Sequence, residues 1–140
     1  MKNIDWPAFE RMIDELTEKV RASELDFDGV VGILRGGVVP ARLLVARLAI
    51  RDMYAVNVKK RSEERIVTTT IGEELSGHRL LLVEDVLESG GSLRAAKEYL
   101  ETQKGAIVGT AALHFTAASE VIPDFSLGQI DAVPHFPWDE

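Results

Sequence analysis

Apolar residues recur along this chain in two rhythms, one helical and one suited to buried strands. Phe9, Ile13, Leu16 and Val20 form a single stripe, while Glu10, Asp14, Glu15, Glu18 and Lys19 fall on the other side. That spacing predicts an amphipathic helix. Asp5 or Trp6 can cap it, and Pro7 suits its opening turn. After a polar break at Ser23–Asp26, the run Gly29–Leu34 (GVVGIL) predicts a buried strand. It ends in Arg35-Gly36-Gly37, and Pro40 then opens an apolar helix, ARLLVARLAI. Met53–Lys59 predicts a further strand, and the Thr-rich, β-branched run Ile66–Ile71 a strand paired to it across a charged loop. Ile107–Phe115 predicts the last strand, after a helix stop at Lys104-Gly105. From Thr116 to Glu140 the pattern is irregular, with Pro123, Pro134 and Pro137. Strands alternating with helices predict an α/β fold with a mostly parallel sheet and helices on both faces, read here as one domain over residues 1–140. In such sheets ligands sit at the C-terminal ends of the strands.

The most informative stretch runs from Arg79 to Tyr99. Leu80, Leu81, Leu82 and Val83 are a continuous apolar run, as in a strand covered on both faces. Glu84 and Asp85 then place two carboxylates at its C-terminal edge, where burying either without a partner is costly. Ser89-Gly90-Gly91-Ser92 follows, with Leu93, Ala96 and Leu100 at helical spacing behind it. The loop's N–H groups therefore crowd a helix N-terminus, which favours an anion. Carboxylates beside an anion cradle imply a ligand that carries a phosphate together with hydroxyls or a metal, and a sugar phosphate, from whose hydroxyls the acids can accept, fits. Two glycine loops at two strand ends, one preceded by an arginine and one by paired acids, are more than ordinary turns. Neither is a Walker A loop, and neither has a dinucleotide fingerprint's spacing.

Composition narrows the field further. A chain of 140 residues with 46% hydrophobic and 28% charged residues is long enough to bury its own core. The formal net charge of −7 argues against a nucleic-acid partner. There are no cysteines, which excludes thiolate chemistry, and no uncharged run approaches membrane-spanning length, so a cytoplasmic location is expected. His78, His114 and His135 lack metal-ligand spacing and are assigned structural or surface roles. The segment Lys59–Arg65 is either a soluble hairpin tip or a mobile cover whose cations close over a polyphosphate.

These residues carry a resemblance. LLLVEDVLESGGSL is similar to the ribose-phosphate signature of type I phosphoribosyltransferases. GILRGGVVPA resembles that family's pyrophosphate loop, VNVKKRSEERIV its strand–loop–strand insert, and the tail the base-covering end of small xanthine, guanine and hypoxanthine enzymes. The resemblance implies transfer of the phosphoribosyl group from phosphoribosyl pyrophosphate to a free nucleobase, most simply a 6-oxopurine, with Mg²⁺ as cofactor and a homodimeric assembly. The apolar Val38–Ile50 helix also suggests a homodimer. Residue by residue, it implies ribose hydroxyls on Glu84 and Asp85, and Mg²⁺ held near them through the substrate. It implies the 5′-phosphate on Ser89, Gly90, Gly91 and Ser92, and the pyrophosphate on Arg35, Gly36 and Gly37, in a turn that often carries a non-proline cis peptide. Glu88 would meet the base, while Lys60 and Arg61 would close over the leaving group. The departures concern the base. Thr116 stands where the small purine enzymes have a lysine, and Val133-Pro134 where they have an aromatic residue, leaving Phe136 or Trp138 as an apolar wall. Those departures also admit a non-catalytic sensor that keeps the phosphoribosyl site, or an enzyme for an atypical base.

Overall fold

The computed structural model describes residues 2–140. Its centre is a six-stranded sheet in the order β3-β2-β1-β4-β5-β6. The strands are β1 (Gly29–Leu34), β2 (Asp52–Arg61), β3 (Glu64–Val67), β4 (Arg79–Leu87), β5 (Ile107–Thr116) and β6 (Gln129–Ile130). All neighbours pair in parallel except β2 and β3. Period-two alternation sends successive side chains to opposite faces. Val30, Leu81, Val83, Ala111 and Leu113 pack with α1 (Trp6–Ala22) and α2 (Val38–Arg47). Val31, Ile33, Val56, Leu80, Leu82 and Ala112 pack with α3 (Gly91–Glu98) on the other face. The predicted α/β class, with a mostly parallel sheet and helices on both sides, is the one observed.

Several boundaries differ from those expected. Asp5 is the cap of α1, accepting from Ala8 N–H at 2.9 Å. The second helix begins at Val38, two residues before Pro40, whose missing N–H costs nothing in a first turn. It ends at Arg47, because Ala49 adopts φ 55° and turns the chain toward β2. Its apolar character is used inside the chain, since Pro40, Ala41, Leu44 and Val45 are buried. The strand predicted at Met53–Lys59 continues to Arg61, and its partner is Glu64–Val67 rather than Ile66–Ile71. The charged segment is thus a β-hairpin turning through Ser62-Glu63, with Ser62 at φ 56°. Alternating charged side chains can face water on both sides of an edge ribbon, so high charge does not signal a loop here. After α3 the chain winds on through a π-helical segment, Tyr99–Gln103, before Gly105 at φ 67° ends it.

The tail is more ordered than its pattern suggests. Leu127 N–H donates to Leu113 C=O at 2.9 Å, and β6 adds to the edge of β5. Asp124 supplies the anchor: its Oδ2 accepts from Thr110 N–H at 2.9 Å and Thr110 Oγ1 at 3.2 Å, and its own N–H donates back to Thr110 Oγ1 at 2.9 Å. Thr110 is buried, so removing the carboxylate leaves its amide N–H and the proton of its hydroxyl without an acceptor, although residue 124 N–H still donates to Oγ1. Asp124→Ala is therefore expected to destabilise the protein by about 2 kcal/mol. Thermal denaturation should register this as a fall of roughly 7 °C in Tm; an unchanged Tm would show that the tail is held elsewhere. Among the described residues, no helix is long and apolar enough to cross a membrane.

Candidate active site

The site arises where β1 and β4 part company. Their pairing ends at Gly32 opposite Val83, but β4 runs on to Leu87 against β5 alone. Glu84 and Asp85 therefore lie inside a strand, not past its end as the sequence suggests. Beyond β1 the chain turns back through Arg35-Gly36-Gly37, with a cis peptide at Leu34–Arg35, and fills the vacated edge. At Gly37 the approach is close enough to exclude any side chain. A Cβ on Gly37 would overlap the Val83 carbonyl oxygen and lie 2.8 Å from that of Ile33. A Cβ on Gly36 would overlap Asp85 Oδ2.

The carboxylates pay electrostatically for this position. Glu84 is pushed well above the usual carboxylate range, first by burial and then by the negative charge of Asp85. Asp85 is raised by burial, opposed by the Val86 N–H that donates to its Oδ1 at 2.6 Å; Asp139 adds a further upward push. Neither acid belongs to an ion pair among the described residues. Two half-buried acids without a cation are poised for hydroxyl donors or a divalent ion.

Beyond them, Gly90 at φ 82° turns the chain into α3, and Ser89 Oγ accepts from Gly91 N–H at 3.2 Å. The turn lines a cavity of about 470 Å³. Arg35, Gly36, Glu84, Asp85, Glu88 and Ser89–Ser92 all line it, so every residue assigned to ribose, to the 5′-phosphate and to the proton at the base meets there. Gly37 lies behind, buried against β4. A second cavity of about 830 Å³ opens on the other side of Arg35, Gly36 and Asp85, walled by Val39, Val133, Pro134, Trp138 and Asp139. An anion cradle and an acidic floor in one chamber, joined to a more apolar chamber, can hold a sugar phosphate with its reactive end toward a flat ring.

A sequence profile of the phosphoribosyl transferase domain matches residues 3–140. The chain belongs to the phosphoribosyl transferase family. A xanthine-guanine phosphoribosyltransferase of Idiomarina loihiensis is 29% identical over 143 residues, covering 97% of this chain and 85% of that protein. The crystal structure of a purine phosphoribosyltransferase from Pyrococcus horikoshii superposes with a TM-score of 0.89 at 29% identity, covering 100% of this chain and 96% of the other. A protein from Neisseria gonorrhoeae solved with bound ppGpp superposes with a TM-score of 0.83 at 27% identity, covering 100% and 91%.

Within this phosphoribosyl transferase fold, three expectations need correction. Phe136 cannot wall a base: it is 1% exposed and stacks on Trp138 at 4.7 Å, inside the core beneath the tail. A residue flanked by Pro134 and Pro137 reads as loop, and only the packing of the tail on α1 reveals its burial. Trp138 does border the tail-side cavity, and its ring also packs on Trp6, Phe9 and Phe136. Lys60 and Arg61 do not reach the phosphate-side cavity; Arg65, four residues beyond Arg61, does. Sequence could place a cation from this segment near the site but could not say which, because register sets which side chains point inward. Thr116 ends β5 and donates from Oγ1 to the Glu88 carbonyl at 3.0 Å, so it stands beside the cradle rather than in the tail-side cavity. His114 Nδ1 lies 3.0 Å from the Gly128 carbonyl, and among the described residues no three His, Cys, Asp or Glu side chains cluster to hold a metal.

Proposed function

We propose that this protein transfers the 5-phosphoribosyl group from phosphoribosyl pyrophosphate to a free purine base, releasing pyrophosphate. One observation carries the reading: the Ser89–Ser92 turn, the Glu84-Asp85 pair and the Arg35-Gly36 turn line a single cavity. Ser89 to Ser92 would hold the 5′-phosphate through amides and hydroxyls, Glu84 and Asp85 would accept from the ribose hydroxyls, and Arg35 with Gly36 would meet the pyrophosphate. Breaking the bond between the anomeric carbon and pyrophosphate builds positive charge on the sugar and negative charge on the leaving group. The half-buried carboxylates favour the first and the arginine and loop amides the second. Glu88 would steer or take the proton of the attacking ring nitrogen.

Mg²⁺ suits this donor set. The two half-buried acids lack a cation, yet among the described residues no third ligand joins them, which fits an ion bound mainly through substrate oxygens. Bound there, it would neutralise the departing pyrophosphate. The chain's composition adds the expectation of a cytoplasmic location, and the family resemblance that of a homodimer, the latter measurable by sedimentation.

The deciding experiment incubates the protein with phosphoribosyl pyrophosphate, Mg²⁺ and a panel of purines and pyrimidines. Nucleotide and pyrophosphate should appear together with guanine, xanthine or hypoxanthine. A second reading, a nucleotide-binding regulator, is favoured by the neighbour solved with ppGpp. Binding without turnover of any base would establish that one instead. Thr116 tests base choice: its proton is already committed to Glu88, leaving only acceptor capacity. Thr116→Lys would offer an ammonium, and kcat/KM for 6-oxopurines should rise about tenfold. A fall for every base would show that this position does not face the oxo edge.

A further inference from the structure

The hairpin of β2 and β3 leans over the first turn of α3, and one side chain bridges the gap. Arg65 Nη1 donates to Ser92 Oγ at 2.9 Å. Its stem lies along the glycine of the cradle: a Cβ on Gly91 would sit 3.4 Å from both Cγ and Nε of Arg65. Arg65 lines both the phosphate-side cavity and a neighbouring cleft beside Ser89 and Gly91, whereas Lys60 lines the neighbouring cleft and not the phosphate-side cavity.

Two features mark this arrangement as unfinished. Arg65 forms no ion pair among the described residues, so its guanidinium has a neutral hydroxyl as its side-chain partner. The strand register also sets Lys60 directly opposite Arg65, which puts like charges side by side on one face of the hairpin. Directly opposed like charges are unfavourable in an antiparallel pair. An anion between them and the α3 N-terminus would relieve that repulsion. It would also meet the rigid fork of donors that makes arginine a phosphate ligand.

We propose that Arg65 is a ligand of the 5′-phosphate, closing the open side of the Ser89–Ser92 cradle by exchanging Ser92 Oγ for phosphate oxygens. The inference rests on the phosphoribosyl reading of the cavity and changes what the charged hairpin is for. Lys60 and Arg61 were expected to cover the pyrophosphate, which is the part of the substrate that leaves. Arg65 instead grips the part that substrate and product share. It therefore contributes to binding of phosphoribosyl pyrophosphate and of the nucleotide alike, and not to binding of pyrophosphate alone.

The test is calorimetric, with phosphoribosyl pyrophosphate, guanosine 5′-monophosphate and inorganic pyrophosphate as separate probes. Arg65→Ala should weaken the first two by a similar factor, on the order of 10- to 100-fold, and leave pyrophosphate unchanged. Arg65→Lys, which keeps the charge without the fork, should fall between. A circular-dichroism melt matching wild type would confirm that the variants fold, as expected for an exposed hairpin side chain. Wild-type affinity for the nucleotide in Arg65→Ala, or a loss confined to phosphoribosyl pyrophosphate and pyrophosphate, would overturn the assignment. If the wild-type protein binds none of the three probes, the phosphoribosyl reading itself falls and takes this inference with it.

Discussion

Replacing the acidic pair, by Glu84→Gln and Asp85→Asn, should abolish phosphoribosyl pyrophosphate binding and make the ligand-free protein more stable. Each carboxylate that accepts from a ribose hydroxyl makes a charge-assisted bond, so losing both should weaken binding roughly 100-fold or more. The stability gain has the opposite origin. Both acids are raised by burial, and Glu84 also by its neighbour's charge, so the folded protein resists their ionisation. With folded values above the unfolded ones, the native state binds more protons and stability falls as pH rises from about 4 through the raised values. The amide variants carry no such penalty. They should gain about 1 kcal/mol at neutral pH, near 3 °C in Tm, with the advantage vanishing below about pH 4. Melting curves between pH 4 and 8, with and without ligand, test both halves. A variant that is less stable than wild type at every pH would sink the electrostatic account. Retained ligand affinity would remove the ribose assignment.

The second large effect lies across the gap from those acids, where adjacent glycines should fail in different ways. Gly37→Ala meets backbone on two sides, the carbonyls of Val83 and Ile33. Those atoms belong to paired strands and cannot yield cheaply, so the cost should reach roughly 3 kcal/mol, or about 10 °C in Tm. Gly36→Ala meets only the Asp85 side chain, which can rotate away. Its stability should stay close to wild type while kcat/KM falls by about 100-fold, because the displaced carboxylate no longer faces the sugar. The contrast is the measurement. Equal loss of stability in both variants would mean that the Arg35–Gly37 turn moves as one unit and that Asp85 is not what confines it.

Much of this site was legible in the chain because its parts are local. A strand, its acids, a glycine turn and the helix behind it occupy Leu80 to Leu100, and each is specified by neighbours within a few residues. The same holds for Gly29–Leu34, whose boundaries match the prediction residue for residue. The charged hairpin was harder. Its tip, Lys59 to Arg65, is polar on both faces, and the hairpin meets the core only where Val58 pairs with Val67, so the pairing with β2 decides that Arg65 reaches the cavity. Phe136 failed for a related reason: nothing near it in sequence reports that α1 covers it.

The sequence alone determined the alternation of strand and helix, the two glycine turns, and the chemistry between Glu84 and Ser92. Those features rest on periodicity and on short-range backbone geometry, which local residue types dictate. Tertiary structure decided three other things. It carried β4 on past its pairing with β1, so that the acids became half-buried and raised rather than fully solvated. It drew Gly36 against Asp85, residues 49 positions apart in the chain. And it chose Arg65 from a run of cations to stand over the phosphate cradle. Each is a contact between distant segments, whose geometry follows from how the sheet is stacked and where each strand stops pairing, and a local pattern holds no record of either.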